Sequence, residues 1–463
     1  MGIKKWFDAN DMTVGSPAGK ILAFTVPMLL GNIAQQLYST VDSIVVGKYV
    51  GDNALAAVGS AGPIFNLLLV LFVGISTGAG IMVSQYFGAK DRESLSKTIG
   101  VSISLTVIST IVIALIGIFA TRPLLRVLQT PDSIFDWCAD YLNILFIGSL
   151  GLSLYNMLSG ILRGLGDSIS ALIYLLVATA LNIVLDILFV AQFKMGVAGV
   201  ALATVIAQIV SSICCFIKLM KMKDLFDLGK EQFKLDKVFS YDVIRLGLPS
   251  GITQAIFSMA MILVQSLINS FGEQFIAANV IVMRVDGFAM MPNFSFGTAM
   301  TTFAGQNIGA GKLGRVKKGT KDGTIIATAT TTVITLIILF FGKYLMHIFT
   351  DTEELVILSA HILSVLAAGY IAMSITQCLS GVMRGAGDTM TPMWISIITT
   401  VVIRVPLAYL IVLFTKTPEN PVGSEASIYV SLLVSWLIGA FITFLAFKKG
   451  NWKRKAVIRT NSN

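Results

Sequence analysis

An all-α integral membrane protein, with twelve transmembrane helices in two pseudo-symmetric six-helix bundles, is the fold class this sequence predicts. Three observations predict it. The 463 residues are 55% hydrophobic and only 13% charged, with a mean hydropathy of +0.82, outside the range of ordinary soluble domains. Apolar segments of roughly 20 residues, long enough to cross the hydrocarbon core as a helix, recur along the whole chain. The chain also repeats itself at a nearly constant offset.

In order, the apolar segments run over 20–46, 54–87, 97–121, 137–161, 169–192, 196–218, 243–271, 275–307, 323–346, 355–382, 390–414 and 426–447. The second and eighth are long enough to tilt or bend. The first is too long for a signal-peptide core and follows a polar stretch containing Asp8 and Asp11, so it reads as a retained helix. The basic residues fix an orientation. With both termini inside, 26 of the 34 Lys and Arg fall in cytoplasmic segments, 6 in outer loops (Lys48, Arg122, Arg126, Lys194, Lys343, Lys416) and 2 within helices. That bias satisfies the positive-inside rule and predicts a multi-pass protein of the cytoplasmic membrane with both termini cytoplasmic. The net charge of +9 is then topology rather than a footprint for nucleic acid. It concentrates in the 218–245 connector, a Lys312–Lys321 loop and the tail KKGNWKRK.

The repeat is explicit. SGILRGLGDS (159–168) returns as SGVMRGAGDT (380–389), which pairs Arg163 with Arg384 and Asp167 with Asp388 at an offset of 221. The same offset pairs Gln85 with Gln306 and Gly88 with Gly309, in SQYFGAK and GQNIGAGK, and one residue of slip pairs Pro27 with Pro249. Six helices return the chain to the side on which it started. The halves therefore share one orientation, related by a pseudo-two-fold axis along the membrane normal. Residues 1–225 are the expected N-terminal bundle, 226–241 the cytoplasmic connector, and 242–463 the C-terminal bundle with its basic cytoplasmic tail.

Polar residues inside the helices carry the chemistry. Asn182 and Asp186, in LNIVLDILF, stand four apart and so share a helix face. Asp42 follows LYSTV in the first helix. A carboxylate in the bilayer costs about 2.5–3.5 kcal/mol even on a lenient scale, which marks both acids as functional. Thr204, in GVALATVIAQ, can bond to its own helix backbone, so alone it is a weaker candidate. The repeat is an internal control: Asn182 and Asp186 map to Ile403 and Leu407, and Asp42 maps to Leu263 or, with the slip, Val264. These counterparts are apolar, so the first half has a polar site that the shared architecture does not require. Two carboxylates, an amide carbonyl and a hydroxyl suit a hard cation such as sodium, and the two carboxyls could instead share a proton. The second half offers Arg284 and Asp286 in VMRVDGFAMMP and Arg404 in VVIRVPLAYL. Arg284 and Asp286, two apart, need different partners. An Asp286–Arg404 ion pair and a substrate contact both fit.

Several local patterns point elsewhere. GLGD (164–167) has the form of the intramembrane aspartyl protease motif, with Tyr241-Asp242 as its other half. It occurs twice, however, at cytoplasmic helix ends beside Arg163 and Arg384, where a tight turn explains it. GAGKLG (309–314) fits GxGxxG without a βαβ unit around it, and no P-loop sequence exists. No ATPase domain is expected, which favours ion-coupled transport. Cys138, Cys214, Cys215 and Cys378 lack metal-ligand spacing and read as packing residues. His347 and His361 lie apart, so no metal or cofactor is expected beyond a possible sodium ion.

The chain resembles the multidrug and toxic compound extrusion (MATE) transporters. The resemblance rests on TVPMLLGNIAQQLYSTVDSIVVGKYVG in the first helix, VSQYFGAKD after the second, LRGLGDS after the fourth, GVAGVALATVIAQ in the sixth and GQNIGAGK after the eighth. It implies a monomeric, cation-coupled (proton or sodium) antiporter, not an enzyme, that exports amphipathic, often cationic drugs and toxic organic compounds through a central cavity. Asp42, Asn182, Asp186 and Thr204 match the family's amino-terminal cation site, and Tyr38, Tyr141 and Asn156 match polar positions lining that lobe. Some members carry an acid in the seventh helix. GLPSGITQAIFSMAMILVQ has none, so the resemblance implies no carboxy-terminal ion site. Pro27 and Gly31 could let the first helix bend. The 28 Phe, 19 Met and 11 Tyr suit an interior that repacks around varied ligands. The alternative transport function is a lipid-linked oligosaccharide flippase. It would need several intramembrane cations, and only Arg284 and Arg404 qualify. An intramembrane aspartyl protease is the remote alternative.

Overall fold

The computed structural model describes residues 10–458, and its regular structure there is entirely helical. Helices α1 (Pro17–Tyr49), α2 (Asp52–Ala89), α3 (Arg92–Val127), α4 (Asp132–Gly164), α5 (Ser168–Gln192) and α6 (Gly196–Met220) form the first half. Helices α7 (Lys237–Ser270), α8 (Glu273–Gly309), α9 (Leu313–His347), α10 (Glu353–Gly385), α11 (Met390–Thr415) and α12 (Ala426–Lys449) form the second. Eleven of the twelve, all but α2, have an apolar window of membrane-spanning length among the described residues. The expected succession of twelve helices is therefore present.

The helices overrun the apolar segments, mostly at the ends assigned to the cytoplasm. The stretch Lys312–Lys321, expected to be a loop, is helical from Leu313 onward, and the connector shrinks because α7 starts at Lys237. Lys, Arg and Glu are good helix formers in water, so a span continues past the hydrocarbon until something stops it. Capping sets the new starts. Asp91 accepts from the Ser94 N–H at 3.0 Å to begin α3, and Asp236 accepts from Val238 and Phe239 at 2.8 and 3.2 Å to begin α7.

Two further departures lie inside helices. The last turns of α5 (Ile187–Gln192) and the middle of α11 (Ile398–Arg404) are π-helical. In α11, Pro406 follows and supplies no N–H, which frees a carbonyl and favours wider winding.

By contacts the chain divides into two compact units. One is built on Val26–Gly251, the other on Met12–Thr25 with the chain from Ile252 onward. Helices α1 and α7 thus each contribute residues to both units, and each changes unit within two residues of an internal proline, Pro27 or Pro249.

Within each unit, small residues let helix backbones touch, the main route to tight packing where lipid removes the hydrophobic drive. A Cβ on Gly164 of α4 would lie 2.7 Å from the Gly80 carbonyl of α2. In the other unit, Gly385 and Gly381 of α10 press as closely on the carbonyls of Thr301 and Gly297 of α8. These contacts recur at the repeat offset, as do the twin GxGD turns. Gly166 and Gly387 take φ of 86° and 91°, which favours glycine. Asp167 then accepts from Ser170 N–H at 2.9 Å, and Asp388 from Thr391 Oγ1 at 2.8 Å, at the starts of α5 and α11. Both aspartates thus accept from the first turn of the helix that follows, 221 residues apart.

The GQNIGAGK stretch also acquires a structural role. In the second unit, Gln306 and Asn307 bond the backbone of Met12, at 2.8 and 3.2 Å, while Lys312 reaches the Thr13 carbonyl at 2.9 Å. Arg315 donates to the carbonyls of Met12, Val14 and Gly15 at 3.0, 3.0 and 2.6 Å. The segment before α1 is thereby held by the start of α9. In the first unit, Arg92 at the start of α3 holds the connector in the same way. It pairs with Asp227 at 2.8 Å and donates to the carbonyls of Lys223 and Asp224. Arg92 in turn holds the Asp227 carboxyl below the usual carboxylate range.

Candidate cation site

Helix α5 presents Asn182 and Asp186 on one buried face, as the four-residue spacing requires. Both side chains are fully buried. Asp42 of α1, half-buried, meets them, and its carboxyl group is close enough to that of Asp186 to interact electrostatically. The Asn182 amide is oriented by this pair. An oxygen facing two carboxylates would leave only acceptors, whereas its nitrogen donates to Asp42 Oδ1 at 2.8 Å and to Asp186 Oδ2 at 3.2 Å. Asp186 Oδ1 is buried with no hydrogen-bond partner. A buried carboxylate oxygen of this kind is an acceptor in want of a proton or a cation.

Around this core the Tyr38 hydroxyl donates to Thr204 Oγ1 at 3.0 Å, joining α1 to α6. Tyr141 of α4 is close enough to interact electrostatically with both carboxylates. An apolar cluster adjoins them: Val45, Val46, Val190, Val197 and Val200, with Val41 and Tyr141 against it. Val190 belongs to the π-helical turns that begin directly after Asp186. Such segments often mark functional positions. Of the sequence candidates, Asp42, Asn182 and Asp186 come together in direct contact, and Tyr38 and Thr204 pair with each other. Asn156 instead donates to the Leu152 carbonyl of its own helix at 2.9 Å.

The second bundle's candidates are arranged differently. The Tyr370 hydroxyl donates to Asp286 Oδ1 at 2.8 Å. Asp286 and Arg404 are near enough to interact electrostatically, yet they form none of the ion pairs found among the described residues. Arg284 is exposed. Tyr370 was not legible as the partner of Asp286: a tyrosine in an apolar helix is ordinary, and the only signal was that Asp286 had to find a partner. Among the described residues no three His, Cys, Asp or Glu gather in metal-binding geometry.

The MatE family model matches residues 27–188 and again 249–410, two copies whose starts lie 222 residues apart. "Probable multidrug resistance protein YoeA" of Bacillus subtilis (strain 168) is 32% identical over 445 residues, covering 94% of this chain and 94% of that protein. "Probable multidrug resistance protein YpnP" of the same organism is 29% identical over 449 residues, covering 96% and 98%. A solved structure described as the outward-facing conformation of a multidrug resistance MATE family transporter of the MOP superfamily is similar with a TM-score of 0.87. It is 25% identical, over 95% of this chain and 97% of that one.

Proposed function

The chain belongs to the MATE family of multidrug efflux transporters, and on that premise we propose that it is a cation-coupled antiporter whose coupling site is Asp42, Asn182, Asp186 and Thr204. The single observation that carries this reading is the buried Asn182 amide bonded to the carboxyls of both half-buried Asp42 and buried Asp186, with one Asp186 oxygen unpartnered. Two like charges held by one amide, one of them fully buried, repel strongly, so the pair needs a cation, a proton or sodium, to be stable. The amide can serve either state: its nitrogen ties the bare carboxylates together, and a rotation would turn its oxygen toward a metal ion.

The exported compounds are amphipathic and often cationic, and they cross the cytoplasmic membrane outward. Coupling follows from charge. A cationic compound is attracted while the Asp42/Asp186 pair carries net negative charge, and uptake of the ion from outside neutralises the pair and weakens that hold. Ion release to the cytoplasm then resets the site. In this reading both termini and the connector are cytoplasmic, the bundles follow the two halves expected at 1–225 and 242–463 with a connector that ends where α7 starts at Lys237, and the transporter acts as a monomer without a cofactor.

Reconstituted protein in liposomes tests the reading, with proton and sodium gradients imposed separately. Export of a lipophilic cationic dye should accelerate under one of the two gradients and return to the leak rate when it is collapsed. Equal dye movement with and without either gradient would reject coupling. For the topology, a cysteine replacing Lys230 should resist an impermeant thiol reagent added to intact cells.

A further inference from the structure

Gln208 of α6 is 4% exposed, and its Oε1 has no hydrogen-bond partner. It stands between two residues of the same helix whose hydroxyls are bonded. Thr204, four residues before it, accepts from the Tyr38 hydroxyl of α1 at 3.0 Å. Ser211, three residues after it, donates to the Tyr174 carbonyl of α5 at 2.7 Å. Positions 204, 208 and 211 follow the spacing of one helix face. The contacts at both ends of that face turn it toward α1 and α5, the helices that carry Asp42, Asn182 and Asp186.

The register of the two helices places the amide. A short turn joins α5 to α6, so they run antiparallel, and the Ser211–Tyr174 bond aligns them. Counting back along α6 and forward along α5 from that bond brings Thr204 level with Asn182 and Gln208 level with Ala178. Ala178 lies on the same buried face of α5 as Asn182 and Asp186 and has no side-chain donor to offer. Gln208 is therefore about one helical turn, roughly 5 Å along the axis, from the level of Asn182, toward the end of the bundle where Asp167 starts α5.

A buried carbonyl oxygen with no donor carries a desolvation cost that a ligand relieves. An amide oxygen is a hard, neutral ligand that suits sodium, and it is too weakly basic to store a proton. We propose that Gln208 Oε1 and the Thr204 hydroxyl oxygen form a second station for sodium in the N-terminal bundle, one helical turn from the Asp42/Asp186 pair on the side toward which the ion is released. Neutral oxygens hold a cation less tightly than carboxylates do, so the ion can enter the station from the acidic pair and still leave it. The inference rests on the cation-coupling reading and deepens it, because such a station selects the metal ion over the proton.

The thermal midpoint of the purified full-length protein tests it, with sodium chloride titrated against choline chloride at constant ionic strength. An ion that binds the folded state raises the midpoint. Gln208→Leu should need about tenfold more sodium for the same rise, as expected for loss of a charge-assisted contact. Without sodium its midpoint should equal or exceed that of the wild type, because the substitution removes an unmet buried polar group. Gln208→Glu, which keeps a ligand oxygen, should retain the sodium response. An unaltered response in Gln208→Leu, as a buried water at Oε1 would give, overturns the station and leaves the coupling site standing. A lower midpoint of that variant without sodium, as a packing role would give, does the same. A wild-type midpoint indifferent to sodium also overturns the station, and the acidic pair is then judged by the proton arm of the liposome assay.

Discussion

In the first bundle Gly164 packs on the backbone of α2 and Asp167 accepts from the first turn of α5; in the second, 221 residues later, Gly385 packs on α8 and Asp388 accepts from the first turn of α11. At mid-membrane the correspondence ends. One bundle gathers Asp42, Asn182 and Asp186, and the other has Arg404 beside a tyrosine-bound Asp286. What the repeat retains is what any six-helix bundle needs to close: small residues where backbones touch, and capped turns between spans. The charges are under no such constraint, so each half is free to take a different ligand chemistry.

If packing is the shared part, it should fail equally in both halves. Gly164→Val and Gly385→Val each drive side-chain atoms into a neighbouring carbonyl, an overpacking that costs about 1–3 kcal/mol or more. Both should lower the thermal midpoint of the purified protein by several degrees. Tolerance of either variant would break the equivalence of the two bundles.

The two arginine clasps sharpen the comparison at smaller scale. Arg315 holds three backbone carbonyls of the segment before α1. Arg92 holds two carbonyls, and its Asp227 pair is largely exposed. Arg315→Ala should therefore lower the midpoint more than Arg92→Ala, whose shift should be about 1 °C or less. The part of the Arg92 effect that comes from Asp227 should also vanish in acid, leaving only its two carbonyl bonds. The folded pKa of Asp227 is depressed by Arg92, so the stabilisation is complete above the ordinary carboxylate value near about 4. It is lost as pH falls through the depressed value. A midpoint difference as large in strong acid as at neutral pH would contradict this assignment.

Much of this was legible in the sequence because lipid imposes simple rules. Length and apolarity gave the twelve helices, and the pairing of Arg163 and Asp167 with Arg384 and Asp388 gave their two-fold repetition. Helix ends were misjudged at Leu313 and Lys237 because a helix that leaves the bilayer becomes polar without unwinding. The face shared by Asn182 and Asp186 follows from spacing alone. Their meeting with Asp42 depends on how α1 packs against α5, which no local pattern encodes. The π-helical turns at Ile187 and Ile398 were invisible for the same reason, since they answer to packing and to Pro406 rather than to periodicity. The hydrogen bond of Asp286 with Tyr370, 84 residues on, is likewise a matter of how α8 and α10 pack.

The claim that the first bundle alone carries the coupling ion is tested most directly by ion-driven dye export from proteoliposomes containing Asp42→Asn or Asp186→Asn. Each substitution keeps the side-chain shape and removes one charge, so the variants should remain monodisperse and correctly inserted. Coupled export should fall to the rate seen without a gradient in both, and adding Leu407→Asp to Asp186→Asn should restore nothing, because the second bundle lacks the other ligands. Near-normal gradient-driven export by both single variants would contradict the account, and Asp42 and Asp186 would then be structural.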